Sequence, residues 1–424
     1  MKYIIGISAF YHDSAACLLI DGVLANAVQE ERFSRIKNDN SFPENSIKFL
    51  LKQNNIKASE INAVVFYEKP FLKFERLVET YVANFPNGFS QFKKSLPIWL
   101  KEKLFLKNLI KKQLNAIDSS FNFTKIFFEK HHTSHAASAF YPSPFEEAVV
   151  LTIDGVGEWE TTTISIGNKN KIINKESILY PHSLGLLYSS FTNYLGFRVN
   201  SGEYKLMGLA PFGKPKYLEI ILTNLIDLKE DGSFRLNQNF FDYSTGLKMI
   251  NTKFENIFNH NSRLSEKEEL TEFHADIAAS IQSLVNLAIL RICKYAKAKY
   301  ELQNLCIAGG VALNCVTNGI VQRERIYKNI WVQPAAGDAG GSVGAALSAF
   351  FKVSNSNRIV NKYDSMKNSF LGPEFSDYEI ENFLVNNKIN YIKLEYEEMY
   401  SFVANKLSNG FAVGWFQGAM EFGP

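Results

Sequence analysis

Residues 3–28 of the chain read YIIGISAFYHDSAACLLIDGVLANAV. The apolar runs at 3–8 and 15–20 predict two strands, and Asp21-Gly22 predicts a hairpin turn into a third strand near 23–28. The polar turn between the first two strands carries His12, Asp13 and Ser14. The chain therefore opens with a predicted β-meander whose first turn is rich in side chains that can do chemistry.

The composition is that of an ordinary folded protein. Of the 424 residues, 46% are apolar and 21% are charged, which excludes a disordered chain and favours two or three domains. The 46 Lys and Arg nearly balance the 43 Asp and Glu, so no nucleic-acid partner is expected. The four cysteines form no CxxC pair, which indicates a reducing compartment. The first residues do not resemble a signal peptide, and no apolar run is long enough to span a bilayer. We therefore expect a cytoplasmic protein that does not cross a membrane.

Three further strands are followed by glycine-rich segments. An apolar strand at 148–153 ends at Asp154, a second at 305–308 runs into Gly309, and a third ends at 332 before an apolar helix from about 342 to 351. Glycines at strand ends let backbone N–H groups approach an anion, although each segment alone is also typical of a plain turn. One nucleotide in a cleft between two α/β lobes would explain all of these loops together with the first turn. The residues expected to line it are Asp13, Ser14, Gly155, Gly157, Glu158, Gly309, Gly310, Asn314, Gly337 and Gly340.

The most informative segment is His131-His132-Thr133-Ser134-His135. On a helix, His131 and His135 are four residues apart and project from one face, a spacing that suits two imidazoles on one metal ion. The alternative is a pair of histidines that fill a polar pocket. His132 points away from that face and is expected either to support the metal ligands from outside or to be structural. Strand-end carboxylates are the expected source of further ligands.

Two other segments have less specific patterns. Residues 71–125 are rich in Phe, Leu and Lys, with helical spacing broken at Pro86 and Pro97. Their lysines are typical of a solvated helical face, and a dock for an anionic group is the alternative. Lys205 lies in a glycine-containing segment, where it either neutralises a phosphate or is a plain surface lysine.

The order of these segments resembles the O-carbamoyltransferase family of nodulation-protein and antibiotic-tailoring enzymes. The resemblance covers almost the whole chain, and the matching segments are 6–16, 29–35, 131–140, 154–163, 202–213, 309–314 and 337–344.

The resemblance implies a two-lobed α/β fold similar to actin-like ATPases, sugar kinases and the tRNA threonylcarbamoyladenosine protein. In that scheme residues 1–353 form the large domain, with a helical insertion at about 71–125, and 354–375 form a linker. Residues 376–424 would begin a YrdC-like α/β domain. The phosphate segments would be 5–19 and 149–167, and the adenosine segment 305–321.

The resemblance also implies a chemistry. A YrdC-like domain makes carbamoyl adenylate from carbamoyl phosphate and ATP, and the large domain passes the carbamoyl group to a hydroxyl of a sugar or natural product. A divalent metal, Fe²⁺ in the family, would be held by His131, His135 and Asp338, with Asp154 near the metal or the phosphate. The candidate catalytic residues are His12, Asp154 and Lys205, with His12 either accepting the hydroxyl proton or holding the adenylate.

The sequence departs from the family near Pro424. Ala419 stands where the family has Arg, and the family motif continues beyond the Gly423-Pro424 pair. We therefore expect a truncated product, a fragment or half of a split enzyme whose other domain is a separate chain. The alternatives to an O-carbamoyltransferase are a tRNA threonylcarbamoyl transferase and a non-catalytic nucleotide-binding scaffold. The near-neutral charge and the turn at 10–13 weigh against the first, and the retained candidate ligands weigh against the second.

Overall fold

The opening meander forms the centre of the first sheet. The computed structural model describes residues 2–99, 105–264, 267–354 and 356–424. Strands β1 (Tyr3–Ser8), β2 (Ala15–Ile20) and β3 (Val23–Gln29) pair antiparallel. Strands β4 (Ala63–Phe66) and β5 (Lys125–Phe128) add parallel to β1, which gives the order β3-β2-β1-β4-β5. The predicted first turn therefore follows the carboxyl end of a central, buried strand.

The second sheet repeats the topology of the first. Strands β6 (Glu147–Ile153), β7 (Glu160–Asn168) and β8 (Lys171–Leu179) form an antiparallel meander. A small hairpin, β9 (Ile226–Leu228) and β10 (Phe234–Leu236), lies outside the sheet. Strands β11 (Asn304–Ala308) and β12 (Asn329–Val332) then add parallel to β6, in the order β8-β7-β6-β11-β12. Two lobes with this duplicated topology are typical of actin-like ATPases and sugar kinases, and the predicted fold class is confirmed.

Helices cover the sheets and connect the lobes. They are α1 (Glu31–Ser34), α2 (Glu44–Gln53), α3 (Pro70–Asn84), α4 (Phe89–Ile98), α5 (Leu106–Ile117), α6 (His131–Phe140), α7 (Leu184–Tyr194), α8 (Glu203–Leu209), α9 (Leu218–Asn224), α10 (Thr252–Asn256), α11 (Glu272–Tyr300), α12 (Cys315–Arg323), α13 (Asp338–Val353), α14 (Asp377–Asn386) and α15 (Tyr396–Ser408). Helices α3, α4 and α5 are the predicted helical insertion. Pro86 lies between α3 and α4, whereas α4 continues through Pro97.

Helix α11 is long and apolar enough to cross a membrane, and it is the only such helix among the described residues. Most of its apolar window is buried within this fold, where its side chains fill the core of the second lobe. Buried core helices are often as long and as apolar, so this helix is weak evidence for a membrane location.

The two helices that carry the candidate metal ligands, α6 and α13, pack against each other through small residues. A Cβ atom added to Gly344 of α13 would lie 1.7 Å from the carbonyl oxygen of Ser134 on α6. A Cβ atom on Gly341 would lie 2.8 Å from the ring of Tyr67. The backbones therefore approach each other so closely that only glycine, which has no Cβ atom, fits at these positions.

Helix α13 begins earlier than predicted. It starts at Asp338, not near 342, so Gly340 and Gly341 belong to its first turns and not to a loop. The glycine-rich composition favoured a loop. In the structure Gly340 is needed for a different reason, because a Cβ atom at this position would lie 2.0 Å from the carbonyl oxygen of Ala335. Close packing thus outweighs the low helix propensity of glycine.

The segment predicted as a linker packs against the first lobe. Met366 and Leu371 are fully buried in its core. Arg358 donates hydrogen bonds to four carbonyl groups that follow or end α6, including those of Phe140 and Ser143. The described residues 356–375 are therefore an extension of the first lobe, because Met366 and Leu371 reach its core.

The segment after this extension is helical. Residues 376–424, all of which the structure describes, contain α14 and α15 and no strand of their own, in contrast to the predicted α/β pattern. A single bridge joins Glu421 to Phe370, and Phe422 is buried in the core of the first lobe.

Tight packing between α6 and α13 predicts that a glycine in their contact tolerates a methyl group less well than a glycine elsewhere. Gly344→Ala should lower the free energy of unfolding by about 1–3 kcal/mol, because a methyl group has no room against Ser134. In Gly208→Ala, in α8, the new methyl group meets no described atom within 4 Å outside the nearby backbone of its own helix, and the change should raise stability by up to about 1 kcal/mol. Urea unfolding followed by circular dichroism measures both, and equal stability of the two variants would argue against tight helix packing.

Candidate metal centre and nucleotide cleft

Four predicted ligand side chains meet at one point. One donor atom from each of His131, His135, Asp154 and Asp338 lies within 4.8 Å of the others. The Nε2 atoms of His131 and His135 are 3.0 Å apart, and the Oδ2 atom of Asp154 lies 2.8 Å from His131 Nε2. The Oδ1 atom of Asp338 lies 3.7 Å from His131 Nε2 and 3.6 Å from His135 Nε2. The grouping predicted from the sequence is therefore present.

Local structure explains why these side chains meet. His131 and His135 share one face of α6, as their spacing predicts. Asp154 follows the carboxyl end of β6, and Asp338 is the first residue of α13, which packs against α6. Both histidines and Asp338 are buried, with Asp338 at 3% exposure.

The geometry and the donor set fit a single divalent cation. Bond lengths of about 2.0–2.2 Å to one ion separate neighbouring ligand atoms by about 2.8–3.6 Å in octahedral or tetrahedral geometry. The distances that involve His131 Nε2 and His135 Nε2 run from 2.8 to 3.7 Å, close to this range. Two Nε2 atoms at 3.0 Å with no group between them require a shared proton or a cation. Two imidazoles with two carboxylates suit iron, zinc or manganese.

The charges around the cluster also favour a cation. Burial raises the pKa of Asp154, but hydrogen bonds from His131 and His135 outweigh it and hold this pKa well below its usual range. Burial lowers the pKa of His135, but the carboxylates of Asp154 and Asp338 outweigh it and raise this pKa to about 9. The two carboxylates thus stay ionised and stabilise positive charge between them.

A second layer of side chains holds the ligands. The Tyr67 hydroxyl donates to Asp338 Oδ2 at 3.1 Å, and Glu68 Oε2 lies 3.9 Å from His131 Nδ1. Glu68 in turn forms an ion pair with Lys73. Sequence analysis missed Tyr67 and Glu68. Their signal was the same as that of Asp154, since both follow the end of an apolar strand.

His12 reaches the edge of this cluster. Its Nε2 atom lies 3.8 Å from Asp338 Oδ2, and its Nδ1 atom lies 2.8 Å from Asp13 Oδ2. Asn38 donates to the other oxygen of Asp13 at 2.7 Å. Burial lowers the pKa of His12, but the charges of Asp338 and Asp13 outweigh it and raise this pKa to about 9. Asp13 thus orients His12 in this structure. The sequence pattern predicted a different role for Asp13, in binding the cofactor.

The glycine-rich loops lie beside the cluster. Because β6, β11 and β12 are parallel, their carboxyl ends share one edge of the second sheet. The Gly310 N–H donates to Asp154 Oδ1 at 3.0 Å, and Gly309 has φ +93°, which favours glycine. Apart from its neighbours in the chain, a Cβ atom on Gly155 would have only Leu186 within 4 Å among the described residues, so open space remains next to Asp154. Gly337 immediately precedes α13, where backbone N–H groups point outward.

Several other predicted binding residues have structural partners. The Glu158 carboxylate accepts hydrogen bonds from the backbone N–H groups of Lys69 and His131, which caps the start of α6. The side chain of Asn314 caps α12 and binds Gln282. The Ser14 hydroxyl donates to the Ser41 carbonyl. These contacts favour structural roles for the three side chains.

Two glycines and one lysine complete the predicted set. A Cβ atom on Gly157 would lie 2.9–3.1 Å from the His132 and His131 side chains, so this glycine permits the loop to pass α6. Gly340 packs against the carbonyl of Ala335 inside α13. Lys205 is half-buried on α8, outside the four-ligand group, and its catalytic role stays a prediction.

His132 differs from its two neighbours. Its Nδ1 atom lies 2.7 Å from the Thr152 hydroxyl, and burial together with the nearby charge of His131 lowers its pKa to about 3. A neutral, buried imidazole bound to a hydroxyl has a structural role, as predicted from its position on the helix.

Comparison with known proteins identifies the family. A family profile described as "Carbamoyltransferase N-terminus" matches residues 3–347. The chain belongs to the carbamoyltransferase family. This carbamoyltransferase-family chain is 52% identical over 428 residues to an uncharacterized protein from Synechocystis sp., of which it spans 69%. It is 32% identical over 420 residues to nodulation protein NolNO from Sinorhizobium fredii. That alignment covers 98% of this chain and 57% of NolNO.

More distant likenesses appear among solved structures. Component A of (R)-2-hydroxyglutaryl-CoA dehydratase from Acidaminococcus fermentans superposes with a TM-score of 0.41 at 16% identity, over 83% of this chain and 99% of that one. HypF from T. kodakarensis superposes with a TM-score of 0.41 at 11% identity, over 83% of this chain and 48% of that one.

The four-ligand cluster predicts which histidine substitution removes metal. His135→Ala should weaken metal binding by more than the roughly 10–100-fold that is typical of changes to outer-layer partners, because it deletes a direct ligand. Elemental analysis of the purified proteins measures the bound metal.

The matched control is His132→Gln, which keeps a hydrogen-bonding side chain near Thr152. It should retain the wild-type metal content. Equal metal loss in both variants would show that folding, and not ligation, sets the result.

Proposed function

We propose that this chain transfers a carbamoyl group from carbamoyl adenylate to a hydroxyl group of a small-molecule or saccharide acceptor. The observation that carries the proposal is the buried cluster of two imidazoles and two carboxylates, with His12 at its edge, in a carbamoyltransferase-family domain. Core packing alone gives no reason to bury four such groups around one point.

A divalent cation is proposed to occupy this cluster, with Fe²⁺ the metal that the family resemblance implies. When bound, it supplies positive charge that polarises a carbonyl or phosphoryl oxygen. His131 and His135 would hold it through their Nε2 atoms, and Asp154 and Asp338 through carboxylate oxygens. Tyr67 keeps Asp338 in position, and Glu68 faces the outer nitrogen of His131.

The nucleotide part of the donor is proposed to lie along the shared loop edge. Gly155 leaves space beside Asp154, and the start of α13 offers backbone N–H groups to an anion. ATP and carbamoyl phosphate are the proposed precursors of the adenylate.

His12 is proposed to take the proton in the transfer step. The acceptor oxygen attacks the carbamoyl carbon, the bond from that carbon to the phosphate oxygen of the adenylate breaks, and AMP leaves. The proton of the acceptor hydroxyl passes to His12 Nε2. A cation bound beside Asp338 would offset the carboxylate charge that raises the pKa of His12, and would so favour the neutral imidazole. In that form Asp13 accepts the Nδ1–H of His12, and the Nε2 lone pair is directed toward the cluster.

The adenylate is proposed to come from a YrdC-like domain, in a longer protein or as a separate chain. The chain spans only 69% and 57% of the two relatives described above. Helices α14 and α15 carry exposed aromatic side chains, among them Phe383 and Phe402, and Trp415 is exposed after α15. Such a surface supports the proposal that more protein packs against these helices. The cytoplasm, where ATP and carbamoyl phosphate occur, is the proposed location.

Incubation with synthetic carbamoyl adenylate and candidate acceptors tests the proposal directly. Mass spectrometry should detect acceptors that have gained one carbamoyl group. His12→Ala should lower the rate by about 10²–10⁴-fold, because a proton acceptor is lost, and it should leave the metal content unchanged.

His260→Ala, at an exposed histidine on the second lobe, is the control and should retain full activity. Undiminished transfer by His12→Ala would refute the role of His12. Nucleotide binding without transfer to any acceptor would instead favour a non-catalytic scaffold.

The hydrogen bonds of Asp13 make a second prediction about the same step. In Asp13→Asn, the side-chain oxygen stays on the Asn38 amide, so the new NH₂ group faces His12 Nδ1. His12 must then accept at Nδ1 and carry its proton at Nε2, the wrong tautomer for a base. We expect kcat to fall by about 10²-fold or more with unchanged metal content. Activity equal to wild type would show that Asp13 does not orient His12.

A further inference from the structure

A cavity of about 200 Å³ lies between the helical insertion and the second lobe. Helices α3 and α4 form one wall, with Tyr81 and Phe92 stacked at 4.2 Å between ring centres. Tyr180 and Tyr243 contribute to the opposite wall. A cavity of this size has room for at least one sugar ring.

The cavity adjoins the candidate metal centre. Val156 lines it and lies two residues after Asp154. Arg76, on the cavity wall, donates to the carbonyl of Gly157 in the same loop. Lys73, also on the wall, lies 5.3 Å from the Tyr11 ring, which lies 4.6 Å from the His12 ring. The cavity wall therefore contacts the loop that follows Asp154 and the turn that carries His12.

The lining is typical of carbohydrate recognition. Aromatic rings offer flat faces for the C–H face of a sugar, and the cavity wall has several, including Trp99. The amide groups of Asn84, Asn87 and Gln91 offer donors and acceptors to hydroxyl groups. A purely apolar ligand would leave these amides without partners, at a cost in free energy.

The charge of the lining restricts the ligand further. Lys73 and Arg76 face the cavity, and none of its described lining residues carries a carboxylate. Glu68 pairs with Lys73 and, together with Glu158, attracts Arg76 from outside the lining. Arg76 also hydrogen-bonds the carbonyl of Gly157 and lies 5.1 Å from the Tyr180 ring. The two cationic groups are therefore the charged groups of the lining that a ligand meets directly. A positively charged ligand would be repelled here, and a carboxylate would be attracted.

We propose that this cavity binds one ring of a neutral or acidic saccharide acceptor and discriminates against cationic amino sugars. The inference rests on the proposed function, since it assigns the acceptor site of that reaction. It makes the helical insertion the element that selects the acceptor by shape and charge.

Binding is tested without any donor, using three matched probes: methyl glucoside, methyl glucuronide and methyl glucosaminide. They share a ring and differ in charge. Saturation-transfer NMR with the full chain should show binding of the first two. The glucuronide should bind at least about tenfold more tightly than the glucosaminide, because only the latter meets like charges.

Two substitutions on α3 locate the binding site. Thr80→Trp places a large ring in the cavity and should abolish saturation transfer to the glucoside and glucuronide. Ala83→Trp places the same ring on the exposed face of the helix and should leave binding unchanged. Thermal unfolding checks that both variants fold.

Each other outcome has a defined meaning. No binding of any probe, equal binding of the glucosaminide, or binding that survives Thr80→Trp would overturn the acceptor-site inference. Saccharide binding that Thr80→Trp abolishes, without subsequent carbamoyl transfer from carbamoyl adenylate, would support a saccharide site in the cavity and contradict the proposed function.

Discussion

The close approach of α6 and α13 is the constraint on which the site depends. Gly344 has no room for a methyl group against Ser134, so the helix that carries His131 and His135 lies directly against the helix that begins at Asp338. The second sheet supplies Asp154 from the end of β6. The four-ligand cluster therefore forms where two helices and a strand end meet, and a small shift of either helix would separate its members.

Much of the fold was predictable because local patterns and burial agree. The strands of the opening meander, β6 and β11, and helix α11 have the periodicity of elements that pack one face or both into a core. The duplicated sheet topology left no repeat in the sequence, since many apolar residues can fill equivalent core positions. The early start of α13 and the docking of Met366 depend on contacts with distant residues, which local patterns do not encode.

The site was predictable where chemistry and spacing coincide. His131 and His135 show helical spacing, and Asp154 follows a clear strand, but the link to Asp338 came from family resemblance. Tyr67 and Glu68 were missed because an aromatic residue and a single carboxylate after a strand are common without function. The cavity of the helical insertion joins residues far apart in sequence, from Thr80 to Tyr243, and only the three-dimensional structure brings them together. In the proposed acceptor site, the least motif-like part of the chain would select the acceptor.

The central claim is that one metal ion lies between two imidazoles and two carboxylates. Crystallography at the absorption edge of the bound metal, with anomalous difference maps from protein purified with its metal, tests it most directly. We expect one anomalous peak within about 2.0–2.2 Å of the Nε2 atoms of His131 and His135 and of oxygens of Asp154 and Asp338. A peak elsewhere, or full metal content with no peak among these four side chains, would contradict it.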